Sequence, residues 1–292
     1  MILLAPAITL SMVMTPSLPS AHADAFTSEP FGGNPACVVL LPPGGGEKSD
    51  LWMQKVADEM HLSETAFLTP LESSSPSAFV LRWFTPTEEV DLCGHATLAS
   101  SHILWEVHGC DSATPLEFHT RSGLLTATRS DDGWISLNFP AEPAEPVVAG
   151  STDRALLLKA FPNLSEDDIL FAGRNSIGGP GGGDLIVEVP PAALASLEFV
   201  ASDVKKLVCR VLSVTCAGCP PELRPAGGSE GSEGEYAFTS RAFAPCVGVD
   251  EDPVCGSAHC CLGARARHRP APQYISLVSL LSRCALHAHK HA

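Results

Sequence analysis

The sequence predicts an α+β chain of two similar halves, rich in strands, with one buried helix in each half. Two observations carry this. A short paragraph of sequence occurs twice: Arg82-Trp83-Phe84-Thr85-Pro86 runs on to Asp91-Leu92-Cys93-Gly94-His95-Ala96, and Arg241-Ala242-Phe243-Ala244-Pro245 runs on to Asp252-Pro253-Val254-Cys255-Gly256-Ser257-Ala258. Paired landmarks in matched order point to a duplicated unit, the second copy holding three extra residues between Arg-x-Phe-x-Pro (82 and 241) and Cys-Gly (93 and 255). In each copy an aromatic strand-like run breaks at Pro, and a Gly then opens a small-residue helix start.

The elements follow in order. Residues 36–41 are an apolar run between Gly33-Asn34-Pro35 and Pro42-Pro43-Gly44, which predicts a buried strand. Ser49 caps a helix carrying Leu51, Val56 and Met60 on its apolar face and ending near His61. Thr65–Thr69 and Ala78–Phe84 read as strands, Ala96–Val107 as a helix apolar on most sides, and 124–129 with 134–139 as a hairpin around Asp131-Asp132-Gly133. Pro140 to Pro146 predicts an interdomain linker. Beyond it, Arg154–Ala160 and Pro191–Phe199 read as helices, and Asp184–Val189 and Leu207–Thr215 as strands. Gly178–Gly183 reads as a hairpin tip and Pro220–Glu235 as a polar loop. The resulting units are a first domain over 24–140 and a second over 147–262, with an extension at 1–23 and a divergent basic tail at 263–292.

Composition narrows the function. A net charge of −15 argues against a nucleic-acid partner, because phosphate neutralisation needs clustered Lys and Arg. No stretch has the length and apolarity of a membrane span. Met1–Met14 with Ala21-His22-Ala23 has part of a secretory signal pattern, but no Lys or Arg precedes Lys48, so a cytoplasmic chain is expected. The 11 cysteines lack the even pattern of a disulfide framework and read as thiols. Cys216-Ala217-Gly218-Cys219 is half of a zinc motif with no second half, so no metal is expected there.

Two helix starts facing one cleft would present unpaired N–H groups and positive dipole ends to a single anionic ligand. Glu64 lies between a helix end and an apolar strand. Partial burial there raises a carboxyl pKa toward the range of proton transfer; the alternative is a solvated helix-end carboxylate. His95 opens the buried helix, as a ligand donor or a core histidine. Asp252 precedes the second helix, as a cap or as an acid at the cleft edge. Cys93 and Cys255 occupy matched helix starts, where a dipole favours thiolate, so a pair of thiols exchanging a carbon-bound proton from opposite faces competes with Glu64.

Asp24-Ala25-Phe26-Thr27, Phe31-Gly32-Gly33-Asn34-Pro35, Leu62-Ser63-Glu64-Thr65-Ala66-Phe67 and the two repeated paragraphs together resemble the phenazine-biosynthesis-like (PhzF-type) family, its animal members included, over residues 24–262. The resemblance implies a diaminopimelate-epimerase-like fold, two pseudo-symmetric domains that each wrap a β-barrel around a central helix, with the active site between them. It implies a cofactor-free isomerase acting on a small carboxylate-bearing substrate, with homodimerisation as a further expectation. Glu64, His95, Asp252 and Ser257 stand at the family's catalytic positions, and substrate binding is expected from Asn34, Gly94, Ala96, Gly256 and Ala258. Related racemases and epimerases use one Cys from each half, which keeps Cys93 and Cys255 as an alternative catalytic pair.

The tail departs from the family pattern. Residues 263–292 carry five basic residues (Arg265, Arg267, Arg269, Arg283, Lys290) and no acid, without an evident closing-strand pattern. A truncated second barrel and a poorly packed tail are therefore expected, and with them a third reading: an inactive scaffold that only binds.

Overall fold

The computed structural model describes residues 18–27, 31–71, 76–131, 133–175, 183–223, 238–266, 274–278 and 285–287. Its first sheet takes β1 (Ser20–Ala25), β2 (Asn34–Leu40), β3 (Glu64–Pro70), β4 (Ala78–Phe84), β5 (Glu89–Val90), β6 (Leu116–Thr120), β7 (Gly123–Arg129) and β8 (Ile135–Pro140). Helix α1 (Asp50–Met60) is the crossover that lets β2 and β3 lie parallel. Ser49 caps it by accepting the Trp52 N–H, and the chain leaves it through His61 in the left-handed region (φ 53°). Met53 and Ala57 form its buried face, while Leu51, expected inside, is 65% exposed.

Helix α2 (Gly94–Glu106) is buried from Gly94 through Trp105. It contacts β1, β2, β3 and β8, strands that lie far apart in the sheet order, so the sheet curls around it as a half-barrel. One apolar cluster joins Ala96, Leu98 and Ile103 of α2 to Val38, Leu68, Leu81, Phe118 and Leu137 of the strands. A helix apolar on every side is stable only when wrapped in this way.

The second half contains β9 (Glu145–Pro146), α3 (Thr152–Ala160), β10 (Phe171–Arg174), β11 (Leu185–Glu188), α4 (Pro191–Ala195), α5 (Ala201–Val204), β12 (Leu212–Ala217), β13 (Phe238–Ala244), β14 (Val249–Asp252) and α6 (His259–Ala266). The six strands form a second sheet in the order β14-β13-β12-β11-β10-β9. One core joins this sheet to α3, α4 and α5, and another joins Ile186, Val211 and Ala244 to Ala258, Cys261 and Leu262 around the start of α6. The expected linker is partly strand, since Glu145–Pro146 pairs with Gly173–Arg174. The predicted helix at 191–199 stops at Ala195, and the predicted strand at 207–215 starts at Leu212. Most of the Gly-rich run at 178–183 and of the polar loop at 220–235 lies outside the described residues.

The duplicated landmarks build duplicated local structure. Arg82 clasps Glu89 through Nε (2.7 Å) and Nη2 (2.6 Å), and Arg241 clasps Glu251 through Nε (2.7 Å) and Nη2 (2.9 Å). Each guanidinium also stands over the Phe two residues on, at 5.2 Å for Phe84 and 5.3 Å for Phe243. The extra residues of the second copy accompany a short 3-10 turn, Pro245–Val247, between β13 and β14. Among the described residues the two sheets are not alike: the first has ten strands, nine on one curled, open path with β5 pairing β4 beside it, and the second has six.

The tail differs most from expectation. β15 (Tyr274–Val278) pairs antiparallel with β8, and β16 (Ala285–His287) with β1, so both outer strands of the first sheet come from residues read as a divergent end of the second domain. Backbone pairing accounts for this: β8 and β1 each offer a row of N–H and C=O groups that an extended segment can satisfy. The boundary drawn at 262 falls inside α6, where Arg265 lies 4.0 Å over the Phe171 ring and donates to Glu188 at 3.1 and 3.0 Å.

Candidate active site

Glu64 is the first residue of β3 and Asn34 the first of β2, and with Ala36 opposite Glu64 in a parallel register both stand at the same end of the sheet. Cys93, extended at φ −142°, hands the chain to α2 at Gly94. In the second half β14 ends at Asp252, and a turn through Gly256 leads into α6. These segments meet in a cleft of about 430 Å³, counting its open mouth. Glu64, Cys93, Gly94, His95, Asp252, Cys255, Gly256 and Ser257 all line it. Asn34, Ala96 and Ala258, expected to touch substrate, are buried and stand behind the lining.

Asn34 instead starts a chain of hydrogen bonds across the site. Its Nδ2 donates to Asp252 Oδ1 (2.5 Å) and to the Val254 carbonyl (3.2 Å). A carbonyl only accepts, so this contact assigns the orientation of the amide. Asn34 Oδ1 then accepts from Ser63 Oγ at 2.9 Å, leaving Ser63 to accept from His95 Nε2 at 3.2 Å. With its proton on Nε2, His95 has a lone pair on Nδ1, which receives the Cys93 thiol at 3.4 Å. The same contacts would also suit an imidazolium beside a thiolate; burial, which raises the Cys93 pKa and, opposed by Asp252, lowers that of His95, favours the neutral pair.

The Glu64 carboxyl is buried, and its Oε2 has no hydrogen-bond partner among the described residues. Burial first and Asp252 second push its pKa well above the usual carboxylate range, while Arg210 pulls it back. The Cys93 and Cys255 thiols are also pushed up, chiefly by burial and then by the nearby acids Glu64 and Asp252. The Ala96 and Ala258 N–H groups oppose this at Cys93 and Cys255 respectively, without reversing the direction. Burial therefore outweighs the helix-start effect on which a thiolate reading depends.

Sequence reasoning missed Arg210 and the part played by Ser63. Arg210 lines the cleft, donates from Nη1 to Ser257 Oγ (2.9 Å) and forms an ion pair with Asp184. No local motif marks it, because its importance comes from long-range burial. Behind it Glu142, Asp184 and Cys261 come together. Asn175 Nδ2 donates to both Glu142 Oε2 (2.8 Å) and Cys261 Sγ (3.2 Å), so an amide stands between two of the ligands a cation would need. Cys216 and Cys219 turn to separate carbonyls, those of Gly218 and Pro220.

A family profile described as phenazine biosynthesis-like protein matches residues 23–274. This chain belongs to that family. It is 42% identical over 245 residues to an uncharacterized isomerase of Halalkalibacterium halodurans, covering 82% of this chain and 78% of that one. It is 39% identical over 252 residues to the human phenazine biosynthesis-like domain-containing protein, covering 85% and 82% of the two chains. Among solved structures it resembles a PhzF-family phenazine biosynthesis protein of Enterococcus faecalis, with a TM-score of 0.63, 30% identity and coverage of 85% and 82%. Family membership and the related fold agree with the resemblance read from the motifs. Among the described residues of this phenazine biosynthesis-like chain, no helix is long and apolar enough to cross a membrane.

Proposed function

We propose that the chain is a cofactor-independent isomerase that moves a proton within a small carboxylate-bearing molecule, with Glu64 as the general acid/base. The observation that carries this reading is the buried Glu64 carboxyl on the cleft with an unpartnered oxygen. Ionised, it takes a proton from a substrate carbon, and the electron pair left behind shifts through an adjacent double bond. Protonated, it returns that proton to the carbon at the far end, so atoms and charge balance without an external reagent. A raised pKa suits both steps, because it makes the carboxylate a stronger base and keeps the acid form available near neutral pH. Asp252, Ser257 and neutral His95 orient the substrate, and Gly94 and Gly256, packed backbone against backbone, let the two helix starts meet beside it.

A two-thiol racemase is the second reading, favoured by Cys93 and Cys255 lining one cleft close enough for Cys255 to affect Cys93. It requires one thiol to ionise against its burial. An inactive scaffold would bind without turnover.

The deciding experiment incubates the protein in D2O with a panel of enoates and amino acids and follows carbon-bound deuterium by NMR. Exchange in the wild type that disappears in Glu64→Gln supports the isomerase. Exchange that survives Glu64→Gln and disappears in Cys93→Ser or Cys255→Ser supports the racemase. Stabilisation by a ligand with no exchange leaves the scaffold.

A further inference from the structure

We propose that Arg210 selects a carboxylate ligand in the cleft and that Asp184 is its positioning residue. The inference rests on the reading of the cleft as a small-carboxylate site and names the group that recognises the charge.

The ionisable side chains lining the cleft are Glu64, Cys93, His95, Arg210, Asp252 and Cys255. Acids and thiols are neutral or negative whatever their protonation, and burial lowers the His95 pKa, which favours its neutral ring. Among the described residues Arg210 is therefore the one permanent cation on the lining, and an entering carboxylate is matched there or repelled by Asp252.

Arg210 also has donors to spare. A guanidinium has five N–H groups. Its Nη1 donates to Ser257 Oγ at 2.9 Å and, at a long 3.4 Å, to the Leu92 carbonyl, while Nη2 binds Asp184 Oδ2. The two remaining N–H groups have no hydrogen bond among the described residues. Its side chain is 15% exposed, and no Arg210 nitrogen is both fully enclosed and without a hydrogen-bond partner, so the spare donors are reachable. A planar carboxylate can accept two parallel bonds from a guanidinium.

The guanidinium is held in place from behind. Asp184 is buried at its far side, and Asn175 fixes Asp184 by accepting its backbone N–H at 2.7 Å and donating to Glu142 at 2.8 Å. Asp184 balances the charge without occupying the cleft, because it lies behind the lining.

The test uses isothermal titration of the full chain at low salt with benzoate, cyclohex-1-ene-1-carboxylate and proline, each against its uncharged amide. At least one carboxylate is expected to bind the wild type, with its amide far weaker. Removing the cation in Arg210→Gln/Asp184→Asn, which leaves no unpaired buried charge, should weaken that carboxylate about ten- to hundredfold and leave the amide unchanged. Arg210→Lys should retain part of the preference, and Asp184→Asn should weaken binding less than loss of Arg210 does. Unchanged carboxylate affinity in the double variant, or no carboxylate preference in the wild type, overturns the proposal. Arg210-dependent binding without isotope exchange would instead remove the isomerase reading and leave this one. Exchange with Arg210-independent binding would do the reverse.

Discussion

Gly94 and Gly256, the glycines of the two repeated motifs, pack backbone against backbone. A Cβ on Gly94 would lie 2.5 Å from Gly256 Cα, and a Cβ on Gly256 would lie 2.7 Å from Gly94 Cα. The requirement is close approach, since neither residue has a left-handed φ. One added methyl must part the two helix starts, and the parts of the cleft they carry move with them. We expect Gly94→Ala and Gly256→Ala each to cost about 1–3 kcal/mol in urea unfolding. The double variant should cost less than the sum, because both methyls open the same gap. Additive costs would mean that the two positions do not share a contact.

Glu64→Gln should abolish deuterium exchange, a loss of about a hundredfold to ten-thousandfold for one general acid/base group. It should also change how stability depends on pH. A folded-state pKa above the unfolded value gives stability that is full below the unfolded pKa and declines as pH rises through the folded one. The Glu64 pKa is raised, so wild type should lose stability relative to Glu64→Gln as pH climbs above about 4.5. Parallel stability curves for the two proteins across pH 4 to 8 would show that Glu64 is solvated after all.

Ser63→Ala removes the acceptor of the His95 Nε2 proton and the donor to Asn34. A buried donor left without a partner costs about 1–3 kcal/mol. Two-dimensional 15N NMR of the histidine rings should show the Nε2–H tautomer for His95 in the wild type and a mixed or altered state in Ser63→Ala. The Nδ1–H tautomer in the wild type would reverse the roles assigned to Cys93 and Ser63.

Burial pushes the Cys93 and Cys255 thiols away from ionisation, and Cys93 is also buried from reagent whereas Cys255 is partly exposed like Cys219 and Cys246, so iodoacetamide at neutral pH should label Cys93 more slowly than Cys219 and Cys246. Fast labelling at Cys93 and Cys255 that stops turnover would favour the two-thiol reading over Glu64.

The amino-acid sequence alone determined the local elements and the duplicated motifs. A cap at Ser49, an all-round apolar helix from Ala96 and a Cys-Gly pair at each helix start are statements about neighbours in the chain, which local periodicity and turn chemistry decide. Glu64, His95, Cys93, Asp252, Cys255 and Ser257 could be singled out because motifs mark them, and the fold brings all six to one cleft. Tertiary structure decided the rest. Asn34 became a brace behind the lining because Asp252, 218 residues away, comes to its amide. Arg210 became the cation of the cleft only through Asp184 behind it and Ser257 beside it. The tail strands joined the first sheet because its open edges, which no local pattern in 263–292 encodes, supplied backbone partners. Burial and charge pairing depend on what the folded chain brings together, so a residue with an ordinary local context acquires its chemistry only in three dimensions.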